Sequence, residues 1–141
     1  MSTEQPVPSP QGDYVPAVRH GDVAYSAGMT PRRDGKLVVT GLVGDTLSVE
    51  QARAAAALAA GNALAAVRSV LPGTAALRCL RMTVYIACRP GFAELSAVAD
   101  GASATLAAEL GAAALPARSA IGVAALPSGA PVEIDLTVAA G

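Results

Sequence analysis

Large side chains are scarce in this chain of 141 residues, which has no tryptophan, one phenylalanine and three tyrosines. The apolar fraction is nevertheless 52%. Alanine supplies much of it, so the core must come from elements that approach closely rather than from bulky side chains. So thin a core is commonly completed by further copies of the same chain. Histidine occurs once, at His20, in a turn sequence, which argues against a histidine-based metal site or catalytic dyad. Cys79 and Cys88 lie nine residues apart in what reads as one strand. They are then separated by roughly 30 Å and point to opposite faces, which excludes a disulfide between them. With no neighbouring base, both read as small packing residues.

Clustered positive charge is also missing. The formal charge is −1 with a pI near 5.7, and Arg32-Arg33 is the only basic pair. Electrostatic capture of nucleic acid is therefore not expected. No apolar run reaches the roughly 20 residues of a membrane span, because Arg53, Arg68 and Glu109 interrupt the alanine-rich stretches. The amino-terminal residues carry Glu4, Pro6, Pro8 and Pro10 in place of the charged and apolar blocks of a secretory signal. The expectation is a cytoplasmic protein with neither membrane nor nucleic-acid partner.

The organisation that is present is one domain preceded by an arm. Residues 1–13 are polar and proline-rich and read as flexible, and residues 14–141 suffice for a single domain. Val15–Arg19 and Val23–Ala27 flank His20-Gly21-Asp22 and predict a hairpin. A glycine-rich loop follows, with a brief strand at Leu37–Thr40. Ser48-Val49-Glu50-Gln51 is a capping box, opening a helix expected to reach Leu71 before Pro72-Gly73. Phe92, Leu95, Val98, Ala99, Ala102, Leu106 and Leu110 recur at helical spacing up to Gly111 and predict a second helix.

Alternation takes over between Arg78 and Cys88. Leu80, Met82, Val84 and Ile86 are expected to face the core, with Cys79, Arg81, Thr83, Tyr85 and Ala87 on the reverse. Two more strands are expected at Ser119–Ala125 and Val132–Ala139, as a closing hairpin or a wider pair. Taking Ile121, Val123, Val132, Ile134, Leu136 and Val138 as core puts Arg118, Ala120, Gly122, Glu133 and Asp135 on the reverse face. Two helices would then cover one side, giving an α+β domain. Charge among very small residues on the other side suits solvent or other subunits better than a monomer's core. Arg118 and Glu133 would share that face, either as a site or as an ordinary cross-strand ion pair.

These residues also carry a family resemblance. Gly12-Asp13-Tyr14-Val15, Ser26-Ala27-Gly28 with Pro31, Asn62-Ala63-Leu64, Arg81 to Ile86, and Pro116-Ala117-Arg118-Ser119 through Leu126-Pro127 to Glu133 occur in order. In these the chain resembles the RidA (YjgF-type) reactive-intermediate deaminases from Asp13 to Ala139. The resemblance implies a chorismate-mutase-like fold in a homotrimer, with a mixed sheet, two helices on one face and sites between subunits. It implies hydrolysis of enamines or 2-imino acids to 2-keto acids and ammonia, without metal or organic cofactor.

On that basis Arg118 is expected to hold a small-molecule carboxylate with paired charge-assisted hydrogen bonds. Glu133 would handle the proton and water. Tyr14 would reach substrate or water across an interface, or else anchor that interface. Gly28, Met29, Ser119 and Ala120 would complete the pocket. Met29 and Ala120 depart from the more polar residues common at these positions, so the natural substrate and even hydrolysis stay open. A small-molecule-binding or regulatory trimer, or an enzyme of specialised metabolism acting on another imine, is the alternative. The ribonuclease activity sometimes attached to the family is opposed by the acidic balance, the lone histidine and the absence of a basic or aromatic stripe.

Overall fold

A computed structural model describes residues 5–73 and 75–141; the first four residues of the expected arm lie outside the described residues. The hairpin forms as β1 (Ala17–His20) and β2 (Val23–Ser26), with Gly21 at φ +60° in its turn. Such a turn suits glycine, which lacks the Cβ that disfavours positive φ. The next hairpin is shorter and earlier than the expected strand: β3 (Arg32–Arg33) pairs with β4 (Lys36–Leu37) around Asp34-Gly35.

Helix α1 (Val49–Arg68) opens on the capping box, with Ser48 Oγ accepting from the Gln51 amide at 3.1 Å and Gln51 Oε1 accepting from the Ser48 amide at 2.9 Å. It stops one turn before Pro72. Helix α2 (Leu95–Leu110) begins later than Phe92, with no side-chain cap at Glu94, and ends at Gly111 with φ +89°. The two helices meet almost backbone to backbone. A Cβ on Gly101 would collide with the Arg53 carbonyl, and Thr105 Oγ1 donates to the Ala57 carbonyl at 3.1 Å. Buried Ala52, Ala55, Ala56, Ala59, Ala60, Ala63 and Ala66 are what permit this spacing.

Three further strands complete the sheet: β5 (Leu77–Ala87), β6 (Ala117–Val123) and β7 (Val132–Ala140). The order is β1-β2-β7-β5-β6, with β5 and β6 parallel and the other pairs antiparallel. Both helices cover one face, over Met82, Val84, Ile86, Ile134, Leu136 and Val138. This is the expected α+β arrangement, with three local corrections.

First, β6 and β7 form no closing hairpin, because β5 lies between them. Second, β5 is bulged. Cys79 opposes Val138 and Arg81 opposes Thr137, so Leu80 is the extra residue, 41% exposed, while Cys79 enters the core. Burial pushes the Cys79 thiol pKa up to about 11. Third, the parity of β6 is inverted. Arg118, Ala120 and Gly122 oppose Met82, Val84 and Ile86, and so share the helix-covered face. Small residues are needed there: a Cβ on Gly122 would already lie 3.1 Å from Cys88 Sγ and 3.6 Å from the Leu95 side chain. Ile121 is left outside, 41% exposed.

Candidate functional site

The open face of the sheet is ordered by strand register. One row across β6, β5 and β7 is Ser119, Thr83 and Asp135; the next is Ile121, Tyr85 and Glu133. A third row runs from Ala117 through Arg81 and Thr137 to Tyr25 and Val18. The charged residues Arg81, Glu133 and Asp135 thus lie together, bordered by exposed Val18, Tyr25 and Ile121. Arg81 Nη2 donates to Ser119 Oγ.

The Ser26-Ala27-Gly28 segment shapes the surroundings of Glu133. Tyr25 pairs with Thr137 and Met29 with Ile134, so four steps along β2 and its continuation match three along β7. Ser26 Oγ accepts from the Leu136 amide at 3.0 Å where backbone pairing lapses. Met29 restores it, donating to the Ile134 carbonyl at 2.7 Å, with its side chain buried in the core. Gly28 then lies directly over the Glu133 carboxyl. A Cβ there would sit 2.6 Å from Cδ and 2.7 Å from Oε2, so any larger residue displaces the acid.

Electrostatics bias both acids toward their neutral form. Burial raises the Glu133 pKa, and the nearby Asp135 charge raises it further. Burial likewise raises Asp135, although Arg81 partly opposes this. Among the described residues neither acid has an ion-pair partner within 4.0 Å. A half-buried carboxyl whose pKa is raised is a better proton donor than an exposed one at a given pH above the ordinary carboxylate range, and it can later take the proton back.

The other predicted site residues are dispersed. Arg118 lies across the sheet from Glu133, correcting the expectation that the two share a face. Its Nη1 donates to Asp100 Oδ1 at 2.8 Å and Ser103 Oγ at 2.9 Å, and its Nη2 to Ser96 Oγ at 2.8 Å. All three partners belong to α2, so Arg118 straps the edge strand to that helix. Ala120 accompanies it on the covered side, whereas Ser119 and Gly28 belong to the open face. Tyr14 is exposed, and its hydroxyl accepts from the Gln11 amide at 3.0 Å, within the amino-terminal segment. Among the described residues it makes no hydrogen bond to Glu133.

Buried Asn62 has a structural part. Its Nδ2 donates to the Thr30 and Arg32 carbonyls at 3.1 and 2.9 Å, and its Oδ1 accepts from Gln5 at 3.0 Å. Sequence reasoning put Arg81 and Asp135 on the reverse face but did not count them in the site. The signal available was parity: in the alternating runs, both share the side opposite the aliphatic residues. Among the described residues no three His, Cys, Asp or Glu side chains gather as metal ligands, and no helix is long and apolar enough to cross a membrane.

Comparison with known proteins adds the lineage. The sequence profile of the family described as Endoribonuclease L-PSP matches residues 4–140. Protein TCP17 of Trypanosoma cruzi is 33% identical over 132 residues, covering 92% of this chain and 82% of that protein. Atu1372 from Agrobacterium tumefaciens, a protein of unknown function, is 38% identical with a TM-score of 0.86, over 94% of this chain and 85% of its own. The Escherichia coli YjgF protein shares the fold at a TM-score of 0.66 and 23% identity, over 94% and 92% of the two chains. With the α+β architecture and the profile match in agreement, the chain belongs to the L-PSP (YjgF/RidA) family.

Proposed function

We propose that this protein hydrolyses reactive enamines or 2-imino acids to 2-keto acids and ammonia on the open face of its sheet. The carrying observation is Glu133: a half-buried acid with a raised pKa, whose carboxyl packs against Gly28, where only a glycine leaves it room. Hydrolysis of an imine needs a proton on nitrogen and a water directed at C2. Protonated Glu133 donates to the imine nitrogen, which makes C2 electrophilic. Water adds to C2 and returns a proton to the carboxylate. Proton transfer to the amine then lets ammonia leave with the C–N electron pair as the C2 carbonyl forms. An enamine enters the same path once its β-carbon is protonated. Asp135, in the adjacent row, adds its charge to the burial that raises the Glu133 pKa.

The reading includes a homotrimer. Val18, Tyr25 and Ile121 are 52%, 46% and 41% exposed on the open face, an apolar border suited to neighbouring copies. The cleft between copies is where water would be limited and where Tyr14 of a neighbouring copy could approach. Arg118 serves as the strap that holds the cleft's edge strand in place.

A second reading is a trimer that binds a small carboxylate through Arg118 without hydrolysing it; the engagement of Arg118 by Asp100, Ser103 and Ser96 counts against that reading. RNA cleavage, the activity named in the family's description, finds no support in a chain of net charge −1 whose one histidine is exposed in the β1–β2 hairpin. The deciving assay generates imino acids in situ with an amino-acid oxidase and follows semicarbazide trapping for wild type and Glu133→Gln. Faster clearance that is lost in the variant supports the deaminase. Clearance at the uncatalysed rate, together with bound 2-keto acid in calorimetry, supports the binding trimer.

A further inference from the structure

We propose that the amino-terminal arm belongs to the support of the site: Gln5 docks on Asn62, and Asn62 is a positioning residue that holds the Gly28–Thr30 segment against the Glu133 carboxyl. The inference rests on the reading of Glu133 as the reactive acid and deepens it by naming what fixes that acid's cover.

Asn62 lies in the interior of α1 between buried alanines, and among the described residues it is the only buried polar side chain, 5% exposed. A helix gains nothing from asparagine there, and burying its amide is costly unless the polar atoms find partners. All of those partners lie outside α1. Nδ2 donates to the Thr30 and Arg32 carbonyls at 3.1 and 2.9 Å, and Oδ1 accepts from Gln5 Nε2 at 3.0 Å. Thr30 is two residues beyond Gly28. Met29, between them, exchanges both backbone hydrogen bonds with Ile134, at 2.7 and 2.9 Å, next to Glu133 itself. The segment that packs on the Glu133 carboxyl is thus clamped from two sides, by β7 and by Asn62.

The arm reaches this clamp through one side chain. Pro6, Pro8 and Pro10 have no amide hydrogen, and among the described residues of the arm only Gln5 hydrogen-bonds to any residue beyond Tyr14. Elsewhere the packing is open: cavities of about 690 and 550 Å³ lie between arm and body, and Gln5 and Val7 line both. The Gln5 contact, by contrast, is shaped by the helix. Glycine at position 61 weakens α1 relative to alanine, yet a Cβ there would collide with Gln5 Oε1. The glycine leaves room for the docked amide. Without Gln5, the Asn62 acceptor would be left buried and unpaired, or would have to admit water, and the clamp on Thr30 would loosen.

The test compares the full chain with Gln5→Ala, Gly61→Ala and Asn62→Ala by amide hydrogen exchange, carbon-13 titration of the Glu133 carboxyl and the imino-acid assay across pH. The charged and titratable groups sharing the open face with Glu133 are Asp135 on β7, Arg81 and Tyr85 on β5 and Tyr25 on β2, and no variant alters any of them. Gln5→Ala is expected to speed exchange of the Met29 and Ile134 amides about fivefold. It should also move the Glu133 titration, and with it the basic limb of kcat/KM, to lower pH as water reaches the carboxyl. Gly61→Ala should do the same while melting no lower than wild type, since the methyl favours the helix and displaces only the flexible end of Gln5. Asn62→Ala should give the largest changes. Unchanged Met29 exchange and Glu133 titration in either arm-releasing variant overturns the inference, whatever Asn62→Ala does, because loss of any buried amide loosens a fold. A wild type without imino-acid turnover, whose exchange and titration nevertheless respond as stated, overturns the deaminase reading and supports the clamp. Glu133-dependent turnover with one pH profile in wild type and all three variants does the reverse.

Discussion

The two faces of the central sheet are built from the same alternating strands and do opposite work. On the covered face, alanine and glycine bring two helices close enough for Gly101 to meet the Arg53 carbonyl, and the polar groups of Arg118 are taken up by α2. On the open face, Glu133 and Asp135 have no ion-pair partner among the described residues and Arg81 keeps unused donors. On the proposed reading, the fold separates stability from chemistry. Arginine alone marks neither role; its number of satisfied partners does.

Glu133→Gln should break the open face most. It removes the proton donor while keeping size and polarity, and kcat for imino-acid hydrolysis should fall about a thousandfold, within the range for general acid–base groups. Its stability should move the other way at neutral pH. The folded-state pKa values of Glu133 and Asp135 are raised, so folding favours their protonated forms. The stability this contributes is fully present below the ordinary carboxylate range, near pH 4, and is lost as pH rises through the raised folded-state values. Urea melts from pH 4 to pH 8 should show that decline in wild type and a flatter profile in Glu133→Gln.

The covered face breaks under volume. Gly101→Val should cost about 3 kcal/mol, because the obstruction is the α1 backbone and not a movable side chain. Chemical denaturation measures this directly, and a near-neutral result would show that the helices can separate.

Gly28→Ala sharpens the contrast, since the added methyl meets only the flexible end of Glu133. Stability should change by less than about 1 kcal/mol, while activity drops roughly tenfold from displacement of a positioned acid. Equal losses in both would mean that Gly28 serves the fold rather than the site.

Arg118→Ala should cost about 1 kcal/mol, since Asp100 is 55% exposed and a screened pair contributes modestly. Thermal melts check it, with β6 protection in hydrogen exchange as the local readout. The smallest effect concerns Cys79. With its thiol pKa at about 11, it should resist alkylation at pH 8 in the folded protein and react once unfolded.

Much of the fold was legible because local chemistry fixed it. The Ser48–Gln51 capping box, the Gly21 turn, the alternation from Met82 to Ile86 and the stop at Gly111 each have one good structural solution. Three features depended on tertiary context. The Leu80 bulge adds a residue that alternation alone cannot signal. The partner of β6 depends on which edge of β5 is free, which a short connection after Ile121–Val123 disguised as a hairpin. The parity of β6 misled because Ile121 looks like core, whereas the close approach of Leu95 leaves room only for Ala120 and Gly122 beneath α2. The same inversion explains the site. Glu133 was expected on the open face and lies there, while Arg118 followed its strand to the other, and Arg81, though inside a quoted motif and placed on the reverse face, was not counted in the site.

The most direct test of the separation between faces is imino-acid hydrolysis by Glu133→Gln and Arg118→Ala, each first shown to be folded by circular dichroism. The account predicts that Glu133→Gln loses nearly all acceleration while Arg118→Ala keeps it within about threefold of wild type. A folded Arg118→Ala that loses turnover, beside a Glu133→Gln that retains it, would contradict the account and return the chemistry to the helix-covered side of the sheet.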